Sequence, residues 1–329
     1  MYRSLAALTE VGDGCIIRVL SSEPVRPLVC QGLCGLYRGC GVRVLVTGAC
    51  GMLGRLVCGA LDGKHEVIGT DVLGGCERLD IADTENVFEV IARHRPETVI
   101  HCAAMTDVDG CERDPDAAFK INAVGTWNLA CACASVDAAL AYVSTDYVFD
   151  GEKGEPYTEF DPVNPISAYG ASKLAGERAV IELCRRHYVV RTSWLFAPHG
   201  KNFAISILKA AETKPELRVV SDQIGSPTYA KDLAEFLALL VGSPLHGVYH
   251  FTNDGSCSWH EFASTILETA GKTDVKVIPI RSDEWPTPTR RPKYSVLRHY
   301  RMELLGRDVT RPWQEAVAEF VSEWTTQRQ

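Results

Sequence analysis

The sequence predicts an α/β fold: a doubly wound parallel sheet of Rossmann type, with a smaller C-terminal α/β lobe that closes over it. Three observations carry that expectation. Apolar strand-like runs alternate with helical stretches as far as Val143, and such alternation builds a parallel sheet with ligand at the strand C-termini. The glycine-rich turn Gly48-Ala49-Cys50-Gly51-Met52-Leu53-Gly54 joins the first such run to a helix. Further on, Tyr169 and Lys173 open a long helical run to about Cys184.

Composition narrows the class. A chain of 329 residues buries a sizeable core, and 46% hydrophobic with 23% charged residues is neither a disordered nor a membrane-embedded composition. A net charge of −8 argues against a nucleic-acid surface, and no apolar run approaches the length of a membrane span. The thirteen cysteines are odd in number and scattered, with no Cys-x-x-Cys pair. Cys50, Cys58, Cys102, Cys131, Cys133 and Cys184 fall within apolar or helical patterns, where a thiol serves as a small hydrophobe. Cys30, Cys34 and Cys40 cluster without a fourth ligand, so no metal site is expected. Free thiols fit a reducing cytoplasm.

Residues 1–41 show no sustained periodicity and are expected to be a disordered extension. The dinucleotide-binding part is expected over 42–192 and a mainly substrate-binding lobe over 193–329, with some segments returning to the first sheet. Val42–Thr47 reads as the first strand and runs into the glycine turn. Glycines there let the backbone approach a pyrophosphate, while the following helix presents free N–H groups. Glu66–Thr70 reads as the next strand, closed by Asp71, 23 residues after Gly48. Asp71 either binds the ribose hydroxyls, which favours NADH, or caps a turn; Arg78 is the nearest base that would accommodate a ribose phosphate. A helix near Glu85–Arg93, strand Thr98–His101 and the small-residue turn Cys102-Ala103-Ala104-Met105-Thr106 follow. A helix over about Pro115–Ser135 holds Asn122, and strand Ala139–Val143 delivers Ser144-Thr145-Asp146-Tyr147-Val148-Phe149-Asp150-Gly151.

Tyr169 and Lys173 are four residues apart and so share one helix face. A phenol titrates near pH 10, and a neighbouring ammonium is expected to lower that value toward neutrality, making Tyr169 a proton donor. Thr145, at a strand end, is placed to hydrogen-bond a substrate oxygen. Beyond strand Tyr188–Arg191 the pattern loosens. A helix starts at Lys201-Asn202-Phe203, and Ala230–Leu240 and Trp259–Ala270 read as helices. Gly247–Phe251 and Val275–Ile278 read as strands, before a proline-rich loop over Trp285–Pro292.

These motifs together resemble the dTDP-4-dehydrorhamnose reductase family of extended short-chain dehydrogenases/reductases, from about Val42 to Trp324. The resemblance rests on the Gly-x-x-Gly-x-x-Gly turn, the run Ser144–Gly151, Tyr169-x-x-x-Lys173 and Arg191-Thr192-Ser193-Trp194. Asp222-Gln223 through Pro227-Thr228 and Arg291-Pro292-Lys293-Tyr294-Ser295 extend it. His101-Cys102-Ala103-Ala104-Met105 departs from it, since members often carry an asparagine and an aromatic there. The resemblance implies NADPH or NADH as cofactor and a nucleotide-sugar substrate reduced at C4. It implies a catalytic set of Thr145, Tyr169 and Lys173. Cofactor contacts would come from Gly48, Gly51, Met52, Leu53, Gly54, Asp71, Asp80, Ile81, Cys102, Ala103, Ala104 and Asn122, with Tyr169 and Lys173. Thr106, Thr145, Asp146, Trp194, Asn202 and Arg291 would contact substrate, although Trp194 has a core-packing alternative and Asn202 and Arg291 a loop-anchor one. An alternative reading is a non-catalytic NAD(P)-binding subunit resembling the methionine adenosyltransferase β subunit, or another nucleotide-sugar reductase or epimerase. A homodimer is one candidate assembly; no nucleic-acid or membrane partner is expected.

Overall fold

The computed structural model describes residues 41–307 and 310–328, so the expected N-terminal extension lies, but for Gly41, outside the described residues. The first half runs β1 (Arg43–Thr47), α1 (Met52–Leu61), β2 (Glu66–Asp71), β3 (Glu77–Arg78), α2 (Thr84–His94), β4 (Thr98–His101), α3 (Val108–Arg113) and α4 (Pro115–Phe119). A single π-helical stretch, Lys120–Gly125, then leads into α5 (Thr126–Ser135), β5 (Ala139–Thr145), α6 (Ala168–Leu183) and β6 (His187–Thr192). The second half adds β7 (Leu195–Phe196), α7 (Phe203–Ala210), β8 (Glu216–Val220), β9 (Ile224–Gly225), β10 (Thr228–Tyr229) and α8 (Ala230–Leu240). It ends with β11 (Gly247–His250), β12 (Cys257–Ser258), α9 (Trp259–Thr269), β13 (Lys276–Ile280), α10 (Tyr300–Leu304) and α11 (Trp313–Thr326).

Seven strands form one parallel sheet in the order β11-β6-β5-β4-β1-β2-β3. The predicted doubly wound sheet is therefore present. Strand order reverses between β1 and β4, and the crevice beyond the strand C-termini at such a switch point is where ligands bind in open α/β sheets. The two-residue period of a strand sorts its apolar side chains. Val44, Val46 and Val190 face α1 and α8, whereas Leu45, Val99, Leu140 and Val189 face α2, α5 and α6. A separate core in the second half joins α7, α9 and α11 through Ile205, Phe262, Trp313 and Phe320. The chain crosses between these bodies: α8 and β11 come late in sequence yet belong to the first sheet's layers.

Helix α6 carries the Tyr-x-x-x-Lys pair, and its placement has two physical causes. Ser167 caps it, accepting from the Gly170 amide at 3.1 Å. Its inner face then lies against the sheet through residues almost without bulk. A Cβ at Gly170 would sit 2.1 Å from the Tyr147 carbonyl oxygen, and one at Gly176 would sit 2.5 Å from both the Asn122 oxygen and the Tyr142 hydroxyl. A buried bidentate pair locks this contact. Arg191 of β6 donates from Nε to Glu177 Oε1 at 2.9 Å and from Nη2 to Oε2 at 2.8 Å. With their side chains 6% and 1% exposed, neither charge has water to fall back on.

Truncating one partner strands the other charge. Glu177→Ala should therefore cost about 3–5 kcal/mol in chemical denaturation, and the paired change Glu177→Leu with Arg191→Met should recover most of it. Equal stability of the single and double variants would contradict the buried-pair assignment.

Candidate active site

The cleft beyond the sheet's C-terminal edge has a volume of about 1290 Å³ and draws its walls from both halves of the chain. Its floor begins at the glycine turn. Gly48 has φ +68°, in the left-handed region, and a Cβ there would approach the Ala103 nitrogen to 2.7 Å. At Gly54 a Cβ would meet the Gly48 carbonyl oxygen at 2.1 Å. The helix N-terminus that follows has no side-chain cap, so Met52 and Leu53 offer backbone amides and a positive dipole end to the cleft. A cradle that excludes even a methyl group and leaves its amides uncapped fits the pyrophosphate of a dinucleotide.

The catalytic candidates meet at the ends of β5 and α6. The Thr145 hydroxyl donates to Asp146 Oδ1 at 3.0 Å and accepts from the Tyr147 amide at 3.2 Å, and it acts on the Tyr169 phenol, whose titration it lowers. Tyr147 stands edge-on to Tyr169, with ring centroids 5.7 Å apart. Lys173 is buried and donates from Nζ to the Val143 carbonyl at 2.7 Å, with its ammonium 4.2 Å from the centre of the Tyr142 ring. Behind it, the π-helical stretch turns Asn122 inward. The Asn122 amide accepts from the Met105 N–H at 2.8 Å and donates to the Met105 carbonyl and to Ser172 Oγ, both at 3.1 Å. Such a bulge often marks a functional site.

Gly48, Gly51, Met52, Leu53, Gly54, Cys102, Ala104, Thr106, Thr145, Asp146, Tyr169, Lys173, Trp194 and Arg291 all line the cleft. Other expected contact residues do not, each for a local reason. The Asp71 carboxylate accepts from the Cys50 and Leu73 amides, both at 3.0 Å. Asp80 turns back on the Ala82 amide, Ile81 is buried against Gly125, and Ala103 backs the glycine turn. Asn122 sits behind Lys173 as described. Asn202 matches its anchor alternative: its Oδ1 caps α7 by accepting from the Ile205 amide at 3.0 Å, and its Nδ2 donates to the Ala197 carbonyl at 2.8 Å. The neighbouring Lys201 and Phe203 line the cleft instead.

On the substrate side, Trp194 has the strained φ of +47° and stacks on Trp259, ring centroids 3.5 Å apart. Arg291 holds Asp109 from Nη2 at 3.0 and 3.1 Å. Ser295 was not singled out from the sequence, yet its hydroxyl donates to Asp146 Oδ2 at 2.5 Å. Its own amide is tied to the Ile224 carbonyl at 2.9 Å. The only sequence signal for Ser295 was its place at the end of the Arg291–Ser295 motif.

Comparison with known proteins bears on this geometry. A family model described as "RmlD substrate binding domain" matches residues 42–326. The chain belongs to the dTDP-4-dehydrorhamnose reductase family. Among solved structures, a dTDP-4-dehydrorhamnose reductase of Clostridium acetobutylicum is 46% identical with a TM-score of 0.83, over 86% of this chain and 99% of that one. The dTDP-4-dehydrorhamnose reductase of Bacillus anthracis, solved in complex with NADP, is 41% identical with a TM-score of 0.83, over 86% of this chain and all (100%) of that one. The spore coat polysaccharide biosynthesis protein SpsK of Bacillus subtilis is 42% identical, over 85% of this chain and 97% of its own length.

For this member of the dTDP-4-dehydrorhamnose reductase family, electrostatics differ from the expectation drawn from spacing alone. Loss of water in the cleft raises the Tyr169 phenol above its ordinary value; the Thr145 hydrogen bond opposes that rise and the Asp146 carboxylate adds to it. Lys173 is not among the groups that act on the phenol; its Nζ is held by the Val143 carbonyl and lies over the Tyr142 ring. Burial in turn holds Lys173 down to about 7, against the pull of Glu177. Burial also pushes Asp146 up to about 6, with Ser295 and Thr145 opposing. Tyr169 is thus a protonated donor throughout the neutral range.

A lysine depressed in the fold contributes stability that is present above its unfolded value near pH 10.4 and lost as pH falls through about 7. The melting temperature of the parent protein should therefore rise relative to that of Lys173→Met between about pH 7 and about pH 10. A difference independent of pH would show that Lys173 is not depressed.

Proposed function

We propose that the protein reduces the C4 keto group of dTDP-4-dehydro-L-rhamnose to dTDP-L-rhamnose, using NADPH or NADH, in the cytoplasm. One observation carries the reading: a protonated Tyr169 and the Thr145 hydroxyl open into the same cleft as a glycine cradle shaped for a dinucleotide. The bound reduced nicotinamide supplies a hydride. This chain's residues supply position and a proton. Tyr169 donates its proton to the C4 oxygen as negative charge develops there. The Thr145 hydroxyl rotates from Asp146 to hydrogen-bond the same oxygen, fixing its orientation. Lys173 holds the ribose, and Asn122 keeps the strand end and α6 in fixed relation. Trp194 packs against the sugar, while Lys201 and Arg291 carry charge suited to a diphosphate. A homodimer is the assembly we propose.

The NADPH reading gains support from strand pairing. β3 runs beside β2 with Arg78 in register with Asp71, which brings an exposed arginine to the strand end where a ribose phosphate would otherwise meet only a carboxylate. Arg78→Ala should lower kcat/KM for NADPH by ~10-fold or more, as for loss of one charge-assisted hydrogen bond, and leave NADH unchanged. Equal effects on both cofactors would remove Arg78 from phosphate recognition.

The direct test follows loss of reduced-nicotinamide absorbance with dTDP-4-dehydro-L-rhamnose, alongside Tyr169→Phe. The parent should consume cofactor in proportion to sugar reduced. The variant should bind cofactor normally yet lose at least ~10²-fold in kcat. Cofactor binding without any turnover in the parent would reject the reductase in favour of a regulatory role.

A further inference from the structure

Two thiols meet at the edge of the dinucleotide cradle and have no part in the chemistry above. Cys50 belongs to the glycine turn itself and lines the cleft. Cys76 immediately precedes β3 at the far end of the β2–β3 loop. Their sulfurs are 3.2 Å apart, and both residues are half-buried rather than sealed in the core. The loop between β2 and Cys76 is exposed, and it contains Gly74 and Gly75. A Cβ at Gly74 would touch nothing within 4 Å, so the loop has room to shift. Among the described residues no group of three or more His, Cys, Asp or Glu is placed to hold a metal, which removes the usual competing use of clustered thiols.

We propose that Cys50 and Cys76 are a redox modification site, forming a reversible disulfide that fastens the β2–β3 loop to the nucleotide-binding turn. A disulfide needs a sulfur–sulfur distance near 2.05 Å, so closure requires a movement of roughly 1 Å. The two segments are already coupled without it: the Asp71 carboxylate accepts from Cys50 on the turn and from Leu73 on the loop. The bond adds a covalent tie parallel to that bridge.

The oxidant is a peroxide. Cys50 takes the distal oxygen to become a sulfenic acid, releasing the alcohol or water. The Cys76 sulfur then attacks the Cys50 sulfur, forming S–S as the S–O bond breaks, and the hydroxide leaves as water with the Cys76 proton. Two electrons pass from the sulfurs to the peroxide bond. Cys50 lines the open cleft whereas Cys76 does not, so Cys50 is the sulfur the peroxide reaches first. Drawing Cys50 sideways displaces amides that face the pyrophosphate, so the oxidised form binds dinucleotide more weakly, by ~5-fold or more. The bond forms whether or not the chain is a reductase; its effect on dinucleotide affinity rests on the cofactor reading above.

The experiment treats the full-length native protein with hydrogen peroxide, blocks remaining thiols, and maps tryptic peptides without reduction. Cleavage after Arg43, Arg55, Lys64 and Arg78 puts Cys50, Cys58 and Cys76 on three separate peptides. A linked Cys50–Cys76 peptide that disappears with dithiothreitol is the expected result. In parallel, NADPH titration should show affinity falling on oxidation and returning on reduction, with Cys76→Ser insensitive to peroxide. A Cys50–Cys58 link, or Cys50 and Cys76 both still open to alkylation, would overturn the site. A Cys50–Cys76 link with unchanged NADPH affinity would overturn its effect on the cradle. Failure of NADPH to bind even the reduced protein would count against the cofactor reading and leave the disulfide to stand on its own peptide map.

Discussion

The closeness of α6 to the end of β5 is the constraint on which the rest of the site depends. A helix with ordinary side chains at Gly170 and Gly176 would stand farther off, because the Tyr147 carbonyl and the Tyr142 hydroxyl already occupy the space a Cβ needs. Only at this separation does Tyr169 reach Thr145, and only here does Lys173 fall between the sheet and the helix with the Val143 carbonyl as its partner. Glycine normally weakens a helix interior by about 1 kcal/mol relative to alanine. The sequence accepts that loss twice in α6. What it obtains is geometry.

The same closeness sets the electrostatics. Squeezing water out from between α6 and the sheet raises the Tyr169 phenol and depresses Lys173, both through desolvation. For a reduction, a phenol that keeps its proton at neutral pH is the useful state. The Glu177–Arg191 pair holds the helix in this costly position from the other end, and Ser295 reaches in from the C-terminal half to hold Asp146. Catalytic geometry therefore draws on residues that span most of the chain, although the reacting groups come from two elements.

Much of this was legible in the sequence wherever a local pattern had a local cause. The strand–glycine–helix turn, the doubly wound parallel sheet and the helix bearing Tyr169 and Lys173 follow from periodicity and turn chemistry, and they are found; the two-residue edge strand β3 was not read. What was illegible depended on contacts made at a distance. The pairing of β8 with β13 joins segments remote in sequence, and α11 takes its meaning from the second core it completes. The run read as one helix over Pro115–Ser135 is broken by a π-helical stretch that turns Asn122 inward, a change of backbone hydrogen bonding that side-chain periodicity does not report. Spacing put Tyr169 and Lys173 on one face but carried no information on where the ammonium points. Asn202 stood beside cleft-lining neighbours, and its role turned on a capping bond to Ile205. Arg78 looked distant from Asp71 along the chain, until strand pairing set them side by side.

The most direct test of the account is Gly170→Ala, assayed for turnover and stability together. Helix propensity alone predicts a gain of about 1 kcal/mol. The close approach predicts the reverse: a loss of stability, and a fall in kcat of at least ~10²-fold as α6 is pushed off Tyr147 and Tyr169 drifts from Thr145. Cofactor affinity should change little, since the glycine cradle lies on another element. A variant as active as the parent, and more stable, would contradict the claim that the spacing of α6 from the strand end is what makes this site.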